Sequence, residues 1–147
     1  MDKQETITLT GNVLVELFDK NGQLKDKREV KNLVVTVGKQ FIASRMVGTA
    51  ANVMSHMAIG SGTTAPANGD TTLQTELGRV ALSALTVAAA VVTQTATFPA
   101  GTGTGAVTEA GVFNASSAGT MQCRTVFPVV NKGVDDAMAI TWTVTVS

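Results

Sequence analysis

The chain has 147 residues, of which 44% are hydrophobic, 15% are charged and 4% are aromatic. This length suits one compact domain with its own core and is short for two. Eleven basic residues balance eleven acidic ones, and a neutral chain has no long-range field that would draw it to nucleic acid or to an anionic membrane. The composition argues against binding through net charge and favours thin β layers.

The cysteine count and the N-terminal segment bear on the cellular compartment. Cys123 is the one cysteine, so no internal disulfide can form, and we expect a small buried hydrophobic side chain. The opening MDKQETITLT lacks the apolar core of a signal peptide. The weakly polar run from Ala81 to Val92 is too short to span a bilayer. We therefore expect a soluble protein that is made in the cytosol.

Alternation of apolar and polar residues begins close to the N-terminus. We predict that residues 1–10 are a possible N-terminal arm and that residues 11–147 form a single β-sandwich domain. A strand within the chain's own sheet is the alternative for the arm. An arm can pair with the exposed sheet edge of a neighbouring molecule, which gives a candidate protein–protein interface at Thr6, Ile7, Thr8, Leu9 and Thr10.

A β-hairpin is predicted next. Val13, Val15 and Leu17 share one strand face, and Asn21-Gly22 separates this strand from a second, charged one. An Asn-Gly pair supplies the positive φ angles that a tight hairpin turn needs. The charges of the second strand, in KDKREVK, mix both signs without aromatic residues among them. This pattern favours a solvated face over a nucleic-acid platform.

The hydrophobic period then changes to that of one short helix, from about Val37 to Val47. Thr36 is the expected N-cap and Gly48 the expected C-cap. We expect the helix to pack on the sheet through one apolar stripe, formed by Val37, Phe41, Ile42 and Met46.

The second half of the chain is typical of a series of short strands. Val53–Gly62 predicts a strand that runs into a polar loop, with one helical turn at Leu73–Leu77. Between Arg79 and Pro99, Val and Thr favour two strands over a helix. About eight strands at this spacing predict a mainly β fold, an antiparallel sandwich or jelly roll. The last strand has the clearest alternation, with apolar residues at Met138, Ile140, Trp142, Val144 and Val146.

Residue types that carry catalysis do not converge in the sequence. His56 is the one histidine, and we expect a structural or surface role because no carboxylate or nucleophile signature surrounds it. The stretches GSG and GTGTG lack the features of phosphate-binding loops, and Asp135-Asp136 is typical of a tight turn. We predict no catalytic, cofactor-binding or metal-binding residue, no small-molecule substrate and no enzymatic activity.

Glu109 is the one charged residue between Ala81 and Gln122. An unpaired charge is costly to bury, so we predict a structural ion pair with Arg124 across a hairpin that turns at Ser116–Gly119. A carboxylate that projects into solvent is the alternative.

Three sequence blocks carry a resemblance to a known group of proteins. They are MSHMAIGSGTTAPANGDTTLQTELGR, ATFPAGTGTGAVTEAGVFNASSAGTMQCRTVFPVVNKGVDD and ITWTVTV, which lie between Met54 and the C-terminus. Together they resemble small structural proteins of tailed bacteriophages, and the front segments GNVLVELFDKNGQLKDKREVKNLVV and VGKQFIASRM look similar as well.

The resemblance implies a capsid decoration, or cement, protein. Such proteins sit on the outer capsid surface at junctions between capsomers of the major capsid protein, often as dimers or trimers, and hold neighbouring capsomers against internal DNA pressure. Many are β-sandwiches or jelly rolls. The implied partners are the major capsid protein and further copies of the chain, with no nucleic acid and no membrane. The implied location is the virion, after synthesis in the bacterial cytoplasm.

Two other functions stay open. The TEAGVFNA block also looks like segments of tail, baseplate and fibre-attachment proteins, so a tail component is the alternative within the virion. A carbohydrate-binding sandwich is a third hypothesis, but sugar platforms need exposed aromatic rings, and Trp142 falls on the apolar face of its predicted strand.

Overall fold

Two antiparallel β-sheets, packed face to face, make up most of the molecule in a computed structural model that describes residues 5–49 and 51–147. These residues form ten strands and one helix. In chain order they are β1 (Leu9–Phe18), β2 (Leu24–Lys31), β3 (Leu33–Val34), α1 (Thr36–Arg45), β4 (His56–Gly60), β5 (Glu76–Ala81), β6 (Ala84–Ala88), β7 (Val91–Phe98), β8 (Gly105–Phe113), β9 (Met121–Lys132) and β10 (Ala137–Val146).

The strand order explains how the two sheets share the sequence. The first sheet has the order β2-β1-β10-β7-β6, and the second has the order β3-β9-β8-β4-β5. The predicted mainly β, sandwich-like antiparallel fold with one short helix is confirmed. Two more strands are present than the eight or so expected, because the segments around Leu33 and Glu76 also pair with neighbours.

The core lies between the sheets and follows the alternation of their strands. In β10, Met138, Ile140 and Trp142 are fully buried, whereas the threonines beside Trp142 are half-buried. Val13 and Val15 of β1 meet the same core from the neighbouring strand. The period-2 pattern thus places one side of each central strand against the opposite sheet.

The first hairpin forms where the Asn-Gly pair predicted it. The turn differs from the expectation that both Asn21 and Gly22 supply positive φ angles, since Gly22 has a φ of 78° and Asn21 has no positive φ. The Gly22 N–H donates to the Asp19 carbonyl at 2.9 Å, and the Asp19 N–H donates to the Gln23 carbonyl at 2.9 Å. This is a three-residue loop with glycine in the left-handed position.

The helix is confirmed with shifted ends. Its N-cap is Val35, which makes no side-chain cap bond, so the expectation of Thr36 as N-cap was wrong. At the other end Gly48 has a φ of 68°, and the Thr49 N–H donates to the Ser44 carbonyl at 3.1 Å. The C-cap is Met46, so the expectation of Gly48 as C-cap was wrong by two residues, although a glycine does close the turn that follows the helix.

The helix packs closely on the second sheet through a glycine. Gly38 is the buried residue of α1, and a Cβ at this position would overlap the backbone carbonyl of Gln122 in β9. Phe41 and Ile42 are half-buried against the core, but Met46 is 86% exposed. The predicted stripe therefore covers the sheet only along part of its length.

The helical turn predicted at Leu73–Leu77 is wrong. This segment is irregular up to Thr75 and then enters β5. Its backbone N–H groups at Gln74 and Thr75 donate to the side chain of Glu109, so they do not form helical hydrogen bonds. The preference for two strands after Arg79 is confirmed by the β6–β7 hairpin.

Candidate protein-binding surfaces

Glu109 stands at the centre of a buried polar network in the second sheet. Its side chain is fully buried, and its Oε1 atom accepts from the Arg124 Nε at 3.1 Å. The carboxylate also accepts hydrogen bonds from three backbone N–H groups. Those of Gly62, at 2.7 Å, and Thr75, at 2.9 Å, donate to Oε2, and that of Gln74, at 2.9 Å, donates to Oε1. The predicted ion pair with Arg124 is confirmed, and the solvent-facing alternative is wrong.

Arg124 extends the same network to the middle of the loop between β4 and β5. Its side chain is 1% exposed and donates to Asp70 Oδ2 at 2.9 Å and to the Thr64 carbonyl at 3.0 Å. The loop, residues 61–75, is called the pinned loop below. One carboxylate and one guanidinium therefore fix a polar segment that has no regular secondary structure of its own.

Two glycines allow the pinned loop to approach Glu109 this closely. A Cβ on Gly62 would lie 2.5 Å from Glu109 Oε2, and a Cβ on Gly60 would overlap the carbonyl of Thr75. Thr108 adds a buried hydrogen bond of 2.7 Å to the Gly62 carbonyl. The GSG stretch is thus a close contact between loop and sheet, made possible by the absence of side chains at its two ends.

Arg79 fixes the turn at Ser116–Gly119 in a similar way. Its Nη1 donates to the carbonyls of Ala115 and Ala118, both at 3.0 Å, and its guanidinium lies 3.8 Å from the centre of the Phe113 ring. Glu76 holds the other side of the guanidinium at 2.7 Å. The two long sequence blocks that carry the resemblance are therefore joined by side chains at two places, the Glu109 network and Arg79.

The Asp135-Asp136 pair forms the predicted turn. Asp136 Oδ2 accepts from the Lys25 Nζ at 2.9 Å and from the Gly133 N–H at 2.8 Å. These two bonds, the one from Lys25 first, hold the pKa of Asp136 below its usual value. The neighbouring Lys132 ammonium donates to the Pro99 and Asp136 carbonyls, and burial lowers its pKa.

We expect Asp136→Asn to reduce the acid sensitivity of the fold. A carboxylate whose pKa is lower in the folded than in the unfolded chain stabilises the fold above the usual Asp value of about 3.9, and this contribution disappears as the pH falls through the lowered pKa. Urea unfolding is measured at neutral pH and again in acid, below that usual value. The variant should differ more from the wild type at neutral pH than in acid.

The exposed neighbour Asp135 provides the control for this experiment. Asp135→Asn leaves the bonds from Lys25 and Gly133 in place. A difference between Asp136→Asn and wild type that is equal at both pH values would contradict the assignment.

Residues that the sequence singled out for chemistry are placed as follows. His56 is half-buried on β4, and its Nδ1 lies 2.8 Å from the Ser55 hydroxyl. Cys123 is fully buried as predicted, and burial raises the pKa of its thiol. Across residues 5–49 and 51–147, no group of three or more His, Cys, Asp or Glu side chains is placed to hold a metal ion.

The predicted interface residues Thr6 to Thr10 fall in two settings. Leu9 and Thr10 belong to β1 and pair with the end of β10, and Thr8 exchanges two backbone hydrogen bonds with Ser147. For Leu9 and Thr10 the alternative, a strand in the chain's own sheet, is what the structure has, and Thr8 lies just before that strand. Thr6 and Ile7 precede the strand, and residues 1–4 of the predicted arm lie outside the described residues.

An apolar groove opens beside this N-terminal strand. Between the start of β1 and the last turn of α1 it encloses about 710 Å³, and Lys39 supplies the charge among the described residues that line it. Of the residues that line it, Ile7 is 79% exposed and Met46 is 86% exposed. This surface, the N-terminal groove, is lined by Ile7, Thr8, Leu9, Asn32, Leu33, Val34, Lys39, Ile42, Met46 and Val146.

Strand β6 is a second exposed surface, at one edge of the first sheet. All five of its residues are exposed, including Leu85 and Val87, which is 70% exposed. Sequence reasoning treated this segment only as a strand, although its signal was visible: no charged residue occurs from Val80 to Thr108.

Comparison of the chain with protein-family models, with curated proteins and with solved structures finds no match. A helix long and apolar enough to cross a membrane does not occur in the part of the chain that the structure describes. Trp142 is fully buried in the core, which removes the one tryptophan from any sugar-binding platform.

Proposed function

We propose that this chain is a non-enzymatic structural protein of a tailed-bacteriophage virion. In this proposal it binds the outer surface of the major capsid protein shell at capsomer junctions and stabilises the capsid as a cement protein. A tail, baseplate or fibre-attachment component is the second candidate, favoured by the same TEAGVFNA block.

The observation that carries the proposal is the N-terminal groove. Ile7 and Met46 both line this groove and expose most of their surface to water, and large exposed apolar patches mark sites of protein contact. The groove includes part of the segment that the sequence predicted as an interface. A partner of matching chemistry presents apolar side chains with few charges.

The Glu109 network supports a mechanical role for the fold. Gly62, Glu109 and Arg124 come from the blocks that carry the phage resemblance, and they hold a loop onto a sheet. Such a network makes the scaffold rigid. A rigid scaffold suits a protein that must keep two capsomers at a fixed distance under load.

The copy number in purified virions tests the proposed location. A cement protein occurs in hundreds of copies and remains on emptied heads, whereas a tail component occurs in tens or fewer and leaves with the tail. Quantitative mass spectrometry of whole particles and of emptied heads will separate these two outcomes. Absence of the chain from the particles would overturn both candidates.

The groove itself is tested by Met46→Lys. We expect the variant to bind shells of the same phage at least about tenfold more weakly, a change of about 1.4 kcal/mol, because a lysine would be buried against an apolar partner. A cation is compatible with the C-terminal end of a helix, so the fold should persist. Cosedimentation with shells that lack the protein measures the affinity.

Val53→Lys is the matched control, since Val53 is 52% exposed and does not line the groove. It should bind shells like the wild type. Equal binding by Met46→Lys and the control would show that the groove is not the contact surface.

A further inference from the structure

We propose that β6 pairs antiparallel with β6 of a second copy. The two-fold axis lies between the Thr86 residues of the two copies, so that the first sheet of one copy continues into the first sheet of the other. This inference deepens the proposed function, on which it rests for its place in the virion, because it assigns the surface through which the chain associates with itself.

The outer side of β6 is an open row of backbone hydrogen-bonding groups. β6 pairs with β7 on one side and ends the first sheet on the other, within the chain as described. Natural proteins protect such edges with charged side chains, proline, bulges or short strands. None of the residues Ala84–Ala88 is charged or proline, and the register with β7 is regular.

The other sheet edges in the described ranges are protected. β2 carries both lysines and acidic residues along Lys25–Lys31, and β3 is two residues long. β5 carries the Glu76–Arg79 ion pair and a register shift where it meets Gly60. Among these edges, β6 is therefore the one that lacks charged residues, proline and a register shift.

A second copy is the occupant that fits this edge best. In full antiparallel overlap of a five-residue strand, the middle residue Thr86 faces itself, and Leu85 faces Val87 of the second copy. Thr–Thr cross-strand pairs stabilise a sheet, and the contact between Leu85 and Val87 would remove apolar surface from water. No charge opposes another in this register, whereas an edge with lysines or acidic residues would lose part of their solvation on pairing.

The exposed apolar side chains of β6 would be covered in this arrangement. Leu85 lies opposite Gln94 and Val87 opposite Val92 on β7, and Gln94 points into the core. Leu85 and Val87 therefore extend the inner face of the first sheet beyond its buried part. Pairing covers them with the same two residues of the second copy, so each copy contributes one self-complementary surface.

A charge swap at the two-fold axis tests the proposal. We expect the wild type to sediment as a dimer and Thr86→Lys to dissociate with a Kd raised at least about tenfold, because like charges directly opposite each other destabilise a strand pair. Thr86→Glu should dissociate likewise. An equimolar mixture of the two variants should restore the dimer, because each introduced lysine then faces an introduced carboxylate instead of a second lysine.

The control is Thr97→Lys, an exposed position of β7 beyond the part that pairs with β6, which should remain dimeric. A monomeric wild type, a dimeric Thr86→Lys, or a mixture that stays monomeric would each overturn the inference. Shell cosedimentation is measured separately: a wild-type dimer that does not bind shells would overturn the proposed function and leave the β6 pairing standing.

Discussion

Replacing Glu109 with alanine will lower the free energy of unfolding by about 3–5 kcal/mol, the range for breaking a buried ion pair by removing one partner. The substitution leaves the buried Arg124 guanidinium without the carboxylate that faces it at 3.1 Å. It also removes the acceptor of the Gly62, Gln74 and Thr75 N–H groups. Urea unfolding followed by circular dichroism measures the loss.

Glu29→Ala is the matched control, because Glu29 is a strand glutamate whose side chain is 71% exposed. Its effect should stay within about 0.5 kcal/mol. The double variant Glu109→Ala with Arg124→Met should lose less than the sum of the two single variants, because the two side chains act as one unit. Strict additivity would contradict the network.

Replacing Gly38 with alanine will destabilise the fold by about 1–3 kcal/mol, the usual range for inserting a group into a filled space. Helix propensity alone predicts the opposite sign, since alanine is better than glycine in a helix by about 1 kcal/mol. The added methyl group would overlap the Gln122 carbonyl, which belongs to the sheet backbone and cannot rotate away. Thermal or urea unfolding gives the sign directly.

Gly69→Ala is the control for this variant. Gly69 lies in the pinned loop, where a Cβ would meet no atom within 4 Å, and its φ is not in the left-handed region. It should be neutral or slightly stabilising. A stabilised Gly38→Ala variant would show that α1 does not contact β9 as described.

The strand pattern could be predicted where one face of a strand packs against the opposite sheet and the other face meets solvent. β10 is the clearest case, because its two faces meet core and solvent in turn and the sequence alternates accordingly. The left-handed turn at Gly48, just after the helix, was also predictable, because this backbone conformation favours glycine. The Glu109–Arg124 pair followed from the cost of a buried charge.

Features that depend on distant contacts were not predictable. The segment at Leu73–Leu77 has helix-forming residues, but Glu109, more than thirty positions later, takes its N–H groups. Val35 is the N-cap of the helix but makes no side-chain cap bond, and it is itself buried in a cluster with residues of the second sheet. Likewise, Ile7 and Met46 line the same N-terminal groove although they are far apart in the sequence. No local sequence pattern predicts this arrangement.

The attachment of the pinned loop to Glu109 bears on local opening. A polar loop normally fluctuates apart from its scaffold with a small free energy. Here the loop cannot leave the sheet without separating a buried carboxylate from three backbone N–H groups. We therefore expect the loop amides bound to Glu109 to exchange their hydrogens with solvent more slowly than the other amides of the pinned loop.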